Sequence, residues 1–172
     1  MYTVKEIEEK LFSLAPPELK MDYDNVGLLV GKSTGQVTRA LISLDITDEV
    51  VEEAVRLKAE LIVSHHPLFF SLTNITDEDR LGRKAVEMIE NGISAICMHT
   101  NLDAANGGVC DALAAAAGLS CVEHLTAEGV DKAGAPFSYG RVGVVPVAVS
   151  LREYIAELKA ALSANGIRFH DL

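Results

Sequence analysis

His65 and His66 stand side by side in the apolar run Leu61-Ile62-Val63-Ser64-His65-His66-Pro67-Leu68-Phe69-Phe70. Two adjacent imidazoles are an uncommon use of such a run, and neutral imidazole is the commonest metal ligand. Leu61 to Ser64 read as a buried strand, and Pro67 holds His66 extended while denying the chain a helical continuation. The pair therefore falls where a strand opens into a loop. Successive residues on an extended chain point to opposite sides, so the two rings are not expected to converge on one point. Two neighbouring ions, or one ion and one substrate group, would use both. The bland alternative satisfies one ring with a backbone hydrogen bond and exposes the other.

In open parallel sheets ligands gather outside the carboxyl ends of the strands. The polar residues that finish the predicted strands are Asp45, then His65 and His66, then His99 and Asp103. Nitrogen donors with a carboxylate oxygen suit zinc, manganese, iron or another divalent first-row ion, whereas calcium would call for oxygens almost throughout. Such an ion acidifies water towards pH 7, an economical route to hydrolysis. Asp45 is read either as part of the site or as the group that holds a histidine in place. His99, four residues before Asp103, can bind metal, carry a proton or hydrogen-bond locally. Gly107-Gly108 before a helix would suit a phosphate, although a plain loop-to-helix junction reads as well. Asp24-Asn25 reads as an ordinary turn, and His124 and His170 as surface or loop residues. Ser64-His65 does not make a hydrolase pair, because neighbours on a strand diverge and no nucleophile elbow surrounds the serine.

The elements that must position these residues follow from capping and periodicity. Thr3 with Glu6 has the capping-box form ahead of a helix to Leu14, which Pro16-Pro17 stops. A short apolar strand lies between Gly27 and Gly31. Arg39 to Asp45 is a strand, Thr47 caps a helix, and Leu61 to Ser64 is the next strand. Asp77 to Glu90 reads as helix closed by Asn91-Gly92, Ile93 to Met98 as strand, and Val109 to Ala117 as helix ended by Gly118. Ser120 to Phe137 carries weak signals of loop or a short edge element. Tyr139 to Val149 reads as strand, Ser150 with Glu153 caps a further helix, and Ile167 to Phe169 begins another strand. Alternating strands and helices with nearly continuous apolar strands predict an α/β protein, its mostly parallel sheet covered by helices on both faces in a three-layer αβα arrangement.

Composition bounds the rest. At 172 residues and 49% hydrophobic the chain can bury one α/β core. Fifteen basic against twenty-five acidic residues leave a net charge of −10, which argues against a grip on nucleic-acid phosphates. No apolar run approaches the roughly 20 residues of a membrane span, and the amino terminus lacks a signal-peptide layout. Three cysteines without a Cys-x-x-Cys pair suggest neither a disulfide framework nor a thiolate zinc site. These features predict a cytoplasmic protein.

Asp24-Asn25-Val26-Gly27-Leu28, the strand ending in Asp45, Ser64-His65-His66-Pro67-Leu68-Phe69-Phe70 and His99-Thr100-Asn101-Leu102-Asp103-Ala104 followed by Gly107-Gly108 resemble, in order, the NIF-three-like family. Its members are known as GTP cyclohydrolase 1 type 2 homologs. The resemblance implies two similar α/β halves, two divalent metal ions per complete subunit, and a toroidal homohexamer. Carried to matching positions, the implied metal ligands are His65, His66 and Asp103, with His99 a candidate catalytic proton carrier. A carboxyl-terminal segment bearing a further histidine and glutamate has no counterpart, so the chain resembles an amino-terminal portion: a domain at 1–125, then a truncated second half at 126–172. The resemblance implies a metal-dependent hydrolase for a nucleotide or related small molecule. A metal-binding oligomeric scaffold or regulatory partner without turnover is the alternative, and an α/β domain with purely structural histidines is the third.

Overall fold

The computed structural model describes residues 1–71 and 74–170. Strand β1 (Tyr2–Thr3) leads directly into helix α1 (Val4–Leu14). Thr3 Oγ1 accepts from the Glu6 amide at 3.2 Å, and the Glu6 carboxylate accepts from the Thr3 amide at 2.7 Å, so the capping box forms as its spacing predicts. Strands β2 (Gly27–Val30), β3 (Gln36–Val37) and β4 (Ala40–Ser43) follow, then helix α2 (Asp48–Leu57), whose first turn Thr47 caps through the Val50 amide. Strand β5 (Leu61–Ser64), helix α3 (Arg80–Glu90) and strand β6 (Ser94–Cys97) complete the alternation. Helix α3 begins three residues later than the sequence suggests. Asp79, not a residue at 77, is its cap and accepts from the amides of Leu81 and Gly82 at 2.9 Å each.

These strands form a four-stranded sheet in the order β2-β6-β5-β4. Strands β4, β5 and β6 are parallel and β2 runs antiparallel along β6, so the mostly parallel expectation holds with one reversed edge. Alternation along the strands sorts the faces. Leu41, Ile62 and Ala95 are neighbours in register and pack with Val51 and Ala54 of α2 and Ala85 and Met88 of α3. Ile42, Val63 and Ile96 form the adjacent row on the opposite face, where Leu11 and Leu14 of α1 meet Ile42 and Val63 around a small cavity. Helices therefore flank both faces. At Gly31, with φ of +100°, a Cβ would lie 2.7 Å from Ser94 Cα, so the chain can pass β6 there only as glycine.

The described chain divides into two compact units, Met1–Leu102 and Asp103–Leu172. Helix α4 (Thr100–Ala104) bridges the division in sequence. The second unit continues with α5 (Val109–Ala116), β7 (Ser120–His124), β8 (Gly129–Val130), β9 (Pro136–Phe137), β10 (Arg141–Val144) and α6 (Leu151–Ala161). The sequence boundary at 125/126 lies inside this unit, because β7 before it pairs antiparallel with β10 after it. The weakly signalled stretch 120–137 thus holds one strand of that pair and a small β8-β9 hairpin. Conversely, the long strand expected over 139–149 shortens to four residues, and residues 167–169 form no strand. No helix among the described residues is long and apolar enough to cross a membrane.

Candidate metal centre

The carboxyl ends of β4, β5 and β6 lie side by side, and each carries the polar residues expected of it. After Ser43 the chain leaves the β4 ladder, and the carbonyls of Ser43 and Leu44 accept from the amides of His65 at 3.2 Å and His66 at 2.9 Å. That departure shortens β4 relative to the strand read over 39–45. It also bends the chain at the two histidines, so the alternation of an extended strand no longer applies to them. Ser64 Oγ donates to the His66 carbonyl at 2.8 Å and stabilises the bend.

Consequently, the two rings converge, against the expectation that they would point apart. The ring centroids of His65 and His66 are 4.9 Å apart, those of His65 and His99 5.2 Å, and those of His66 and His99 5.5 Å. A ligating nitrogen from each of the three lies within 4.8 Å of the others. Donors around a single tetrahedral ion at ~2.0–2.1 Å would be roughly 3.3 Å apart. The arrangement accommodates one ion with slight closure, or neighbouring ions about 3.5–4 Å apart with further donors.

Each ring is anchored through the same atom. Nδ1 of His65 lies 3.0 Å from the Met98 carbonyl, Nδ1 of His66 2.7 Å from Asp45 Oδ1, and Nδ1 of His99 2.8 Å from Asp24 Oδ1. A carbonyl or an ionised carboxylate can only accept, so Nδ1 donates in all three rings and the lone pair resides on Nε2. Fixing the tautomer and ring plane in this way is the usual support of a metal-ligating histidine. Donor chemistry and anchoring together fit a divalent first-row ion.

Asp24 is the residue whose role the sequence did not reveal. Read as a turn, it is instead fully buried in its side chain beside a His99 ring that is 15% exposed. Burial pulls its pKa up, but hydrogen bonds from His99, the Thr100 hydroxyl and the amides of Thr100 and Asn25 outweigh that and hold it below the usual aspartate value. The Asp24 carboxylate, favoured by these bonds, keeps the His99 Nδ1–H in place. Asp24-Asn25 carries part of the family resemblance, yet nothing local in it predicts a contact 75 residues away. Asp45 fulfils the supporting role foreseen as one of its two readings.

Among the other candidates, Asp103 lies on α4 at the beginning of the second unit, and His99 ends the loop just before that helix. Gly107, with φ of +76°, and Gly108 form the loop-to-helix junction of α5. The Gly107 amide donates to Asp111 at 2.5 Å, and this carboxylate in the helix's first turn disfavours a phosphate there. His124 meets only Asn106 among the hydrogen bonds of the described residues, at 3.3 Å, and His170 is exposed. His124 thus closes strand β7 and is half-buried, against the loop or surface reading, whereas His170 agrees with it.

Fold and site define an α/β protein carrying a candidate histidine metal centre at the carboxyl edge of a mixed sheet. The chain belongs to the Duf34/NIF3 (NGG1p interacting factor 3) family, whose model matches residues 2–171. It is 36% identical over 157 residues to a Clostridium perfringens protein named GTP cyclohydrolase 1 type 2 homolog, covering 91% of this chain and 59% of that one. A Streptomyces coelicolor protein of the same name is 36% identical over 171 residues, covering 98% and 60%. The chain thus spans about three-fifths of the length of these curated relatives. Among solved structures, Staphylococcus aureus hypothetical protein SA1388 matches 96% of this chain and 66% of its own, with TM-score 0.87 and 26% identity. Reduced HcgD from Methanocaldococcus jannaschii matches 92% and 60%, with TM-score 0.77 and 30% identity.

Proposed function

We propose that the chain provides the histidine-rich part of a dinuclear metal centre in a hydrolase acting on a nucleotide or a related small molecule. The observation that carries this reading is the gathering of one ligating nitrogen from each of His65, His66 and His99 within 4.8 Å, with every ring held through Nδ1. His65 and His66, with Asp103 as the carboxylate that the family resemblance supplies, would hold zinc, manganese or iron. A bound divalent ion supplies electrostatic stabilisation of developing negative charge and acidification of water. His99 would accept the proton of the attacking water at Nε2, with the buried Asp24 charge balancing the imidazolium. The name shared by the relatives supports a GTP-like substrate. Because the chain itself carries a charge of −10, neutralisation of nucleotide phosphates must come from the metal. A homohexamer and a cytoplasmic location belong to the same reading, the first checked by sedimentation velocity of the metal-loaded chain and the second by cell fractionation.

Metal analysis after dialysis is expected to find bound transition metal in the native chain and at least tenfold less in His65→Ala/His66→Ala. Equal content in both would overturn the centre. Incubation of metal-loaded protein with GTP is expected to give a ring-opened or hydrolysed product. Stoichiometric metal with unchanged GTP at high protein concentration would assign the site to binding without turnover.

A further inference from the structure

Two aromatic side chains stand in solvent beside the histidines. Phe70 is 54% exposed and Tyr23 is 67% exposed. The Phe70 ring centroid lies 6.0 Å from that of His99 and 6.2 Å from that of Tyr23, with interplanar angles of 57° and 53°. Tilted contacts of this kind leave ring faces open that a parallel stack would cover. Burial of so large a ring is favourable, and Phe69, next to Phe70 in the chain, does pack against the core. Single exposed apolar residues need no explanation, but two that adjoin at the edge of a candidate metal centre form a patch with a definite place.

Both rings are carried by segments that hydrogen bonds hold in place. Asn25 Nδ2 donates to the Phe69 carbonyl at 3.0 Å, which ties the turn bearing Tyr23 to the loop bearing Phe70. The Met21 amide donates to Thr100 Oγ1 at 3.0 Å, and the Asp24 amide to the Met21 carbonyl at 2.9 Å. The Tyr23 hydroxyl donates to Met21 Sδ at 3.0 Å. The same turn delivers Asp24 to His99, so one piece of chain sets both the Tyr23 ring and the plane of the His99 ring. Aromatic faces fixed before binding lose little freedom when a ligand arrives.

Position and charge select what the patch takes. Open aromatic faces attract planar rings by stacking, whatever the pattern of polar groups at the ring's edge. With a net charge of −10, and with Asp111 accepting from the Gly107 amide where a phosphate would sit, the chain itself offers an anionic tail little. A neutral ring is the part of a nucleotide-like molecule that it can hold without the metal. We propose that Phe70 and Tyr23 seat the planar heteroaromatic ring of the substrate, stacked on Phe70 with one edge beside His99. This assignment rests on the activity proposed for the metal centre and names the part of the small molecule that the protein recognises. Phe70 and Tyr23 determine specificity, whereas the reaction belongs to the metal and His99.

Guanosine, cyclohexanol and ribose are each titrated into the full chain, freed of metal by chelation, and followed by proton NMR. Guanosine is expected to bind about tenfold or more tighter than either of the others. Its H8 should move upfield under the ring current of Phe70, and the His99 ring protons should shift along the same saturation curve. Phe70→Leu keeps an apolar side chain without a π face; it should weaken guanosine by about tenfold and remove the upfield shift, whereas Phe70→Trp should restore both. Tyr23→Leu should weaken guanosine in the same direction. Equal affinity for guanosine and cyclohexanol would make the pair a plain apolar patch, and unchanged binding by Phe70→Leu would place the ring elsewhere; either overturns the proposal. So does absence of guanosine binding, including the case in which Phe70→Ser lowers the sedimentation coefficient because a second copy covers the rings. Metal content is measured on the same preparation before chelation. A chain that binds metal without stacking guanosine loses this proposal and keeps the metal centre, and one that stacks guanosine without binding metal does the reverse.

Discussion

Asp24 is the residue on which the orientation of His99 depends. Its carboxylate accepts from the ring, from the Thr100 hydroxyl and amide, and from the Asn25 amide, so the loop before β2 and the start of α4 are joined at one buried charge. Asp24→Asn keeps an acceptor but removes the charge that would balance the His99 imidazolium, and is expected to lower GTP turnover by the metal-loaded chain about 10- to 100-fold. An unchanged rate would mean that His99 needs no such anchor. Cys97, also buried at this edge, donates through Sγ to the His65 carbonyl at 3.1 Å. Burial, with the Asp24 charge adding, pushes its thiol up to about 12 despite the Ser64 hydrogen bond. Iodoacetamide at pH 8 is therefore expected to label the exposed Cys121 and to reach Cys97 only in denaturant. Labelling of Cys97 in the native chain would contradict its burial.

At the scale of elements, Glu60 ties the entrance of β4 to that of β5. Its carboxylate accepts from the Thr38 amide and hydroxyl and from the Arg39 amide, while its carbonyl accepts from the Ser94 amide of β6. Partial burial raises its pKa, but the Arg39 and Thr38 hydrogen bonds dominate and hold it below the ordinary value of 4.5. A carboxylate lowered in the folded state stabilises the fold above its unfolded pKa and loses that contribution as pH falls through the folded value. Thermal melts should show Glu60→Gln less stable than the native chain at pH 7, by under ~1 kcal/mol for so solvated a group. The two curves should draw together as the pH falls below 4.5 and through the lowered folded value. A gap that persists into acid would place the effect elsewhere. Helix boundaries tell a similar story of local chemistry. Thr3 with Glu6 and Ser150 with Glu153 form the capping boxes their spacing specifies, whereas Asp79 displaced the start of α3 because only one of the clustered acidic residues meets the first amides.

At the scale of the whole chain, the first unit leaves part of one sheet face open. Ile42 and Leu44, at and just beyond β4, are 79% and 62% exposed, and Leu14 of α1 lies beside Ile42 around an apolar cavity of about 250 Å³. Apolar side chains concentrated on an edge strand attract apolar partners. A hydrophobic dye such as anilinonaphthalene sulfonate is expected to fluoresce with the native chain, and Ile42→Glu/Leu44→Glu should remove about half or more of that signal. Undiminished fluorescence would locate the accessible apolar surface on another face.

The chain's own sequence determined the alternation of strands and helices, the sheet's mostly parallel character and the polar residues that end its strands, because these depend on periods and caps spanning a few residues. Asp45, His65, His66 and His99 were legible in that way, and so was the family likeness. Tertiary structure decided what those residues do to one another. The bend after Ser64 exists because β4 releases its last carbonyls to the histidine amides, and it turns two side chains that alternation would separate into neighbours. The Asp24–His99 and Asp111–Arg141 pairs likewise depend on contacts across 75 and 30 residues, a separation at which no local pattern carries information.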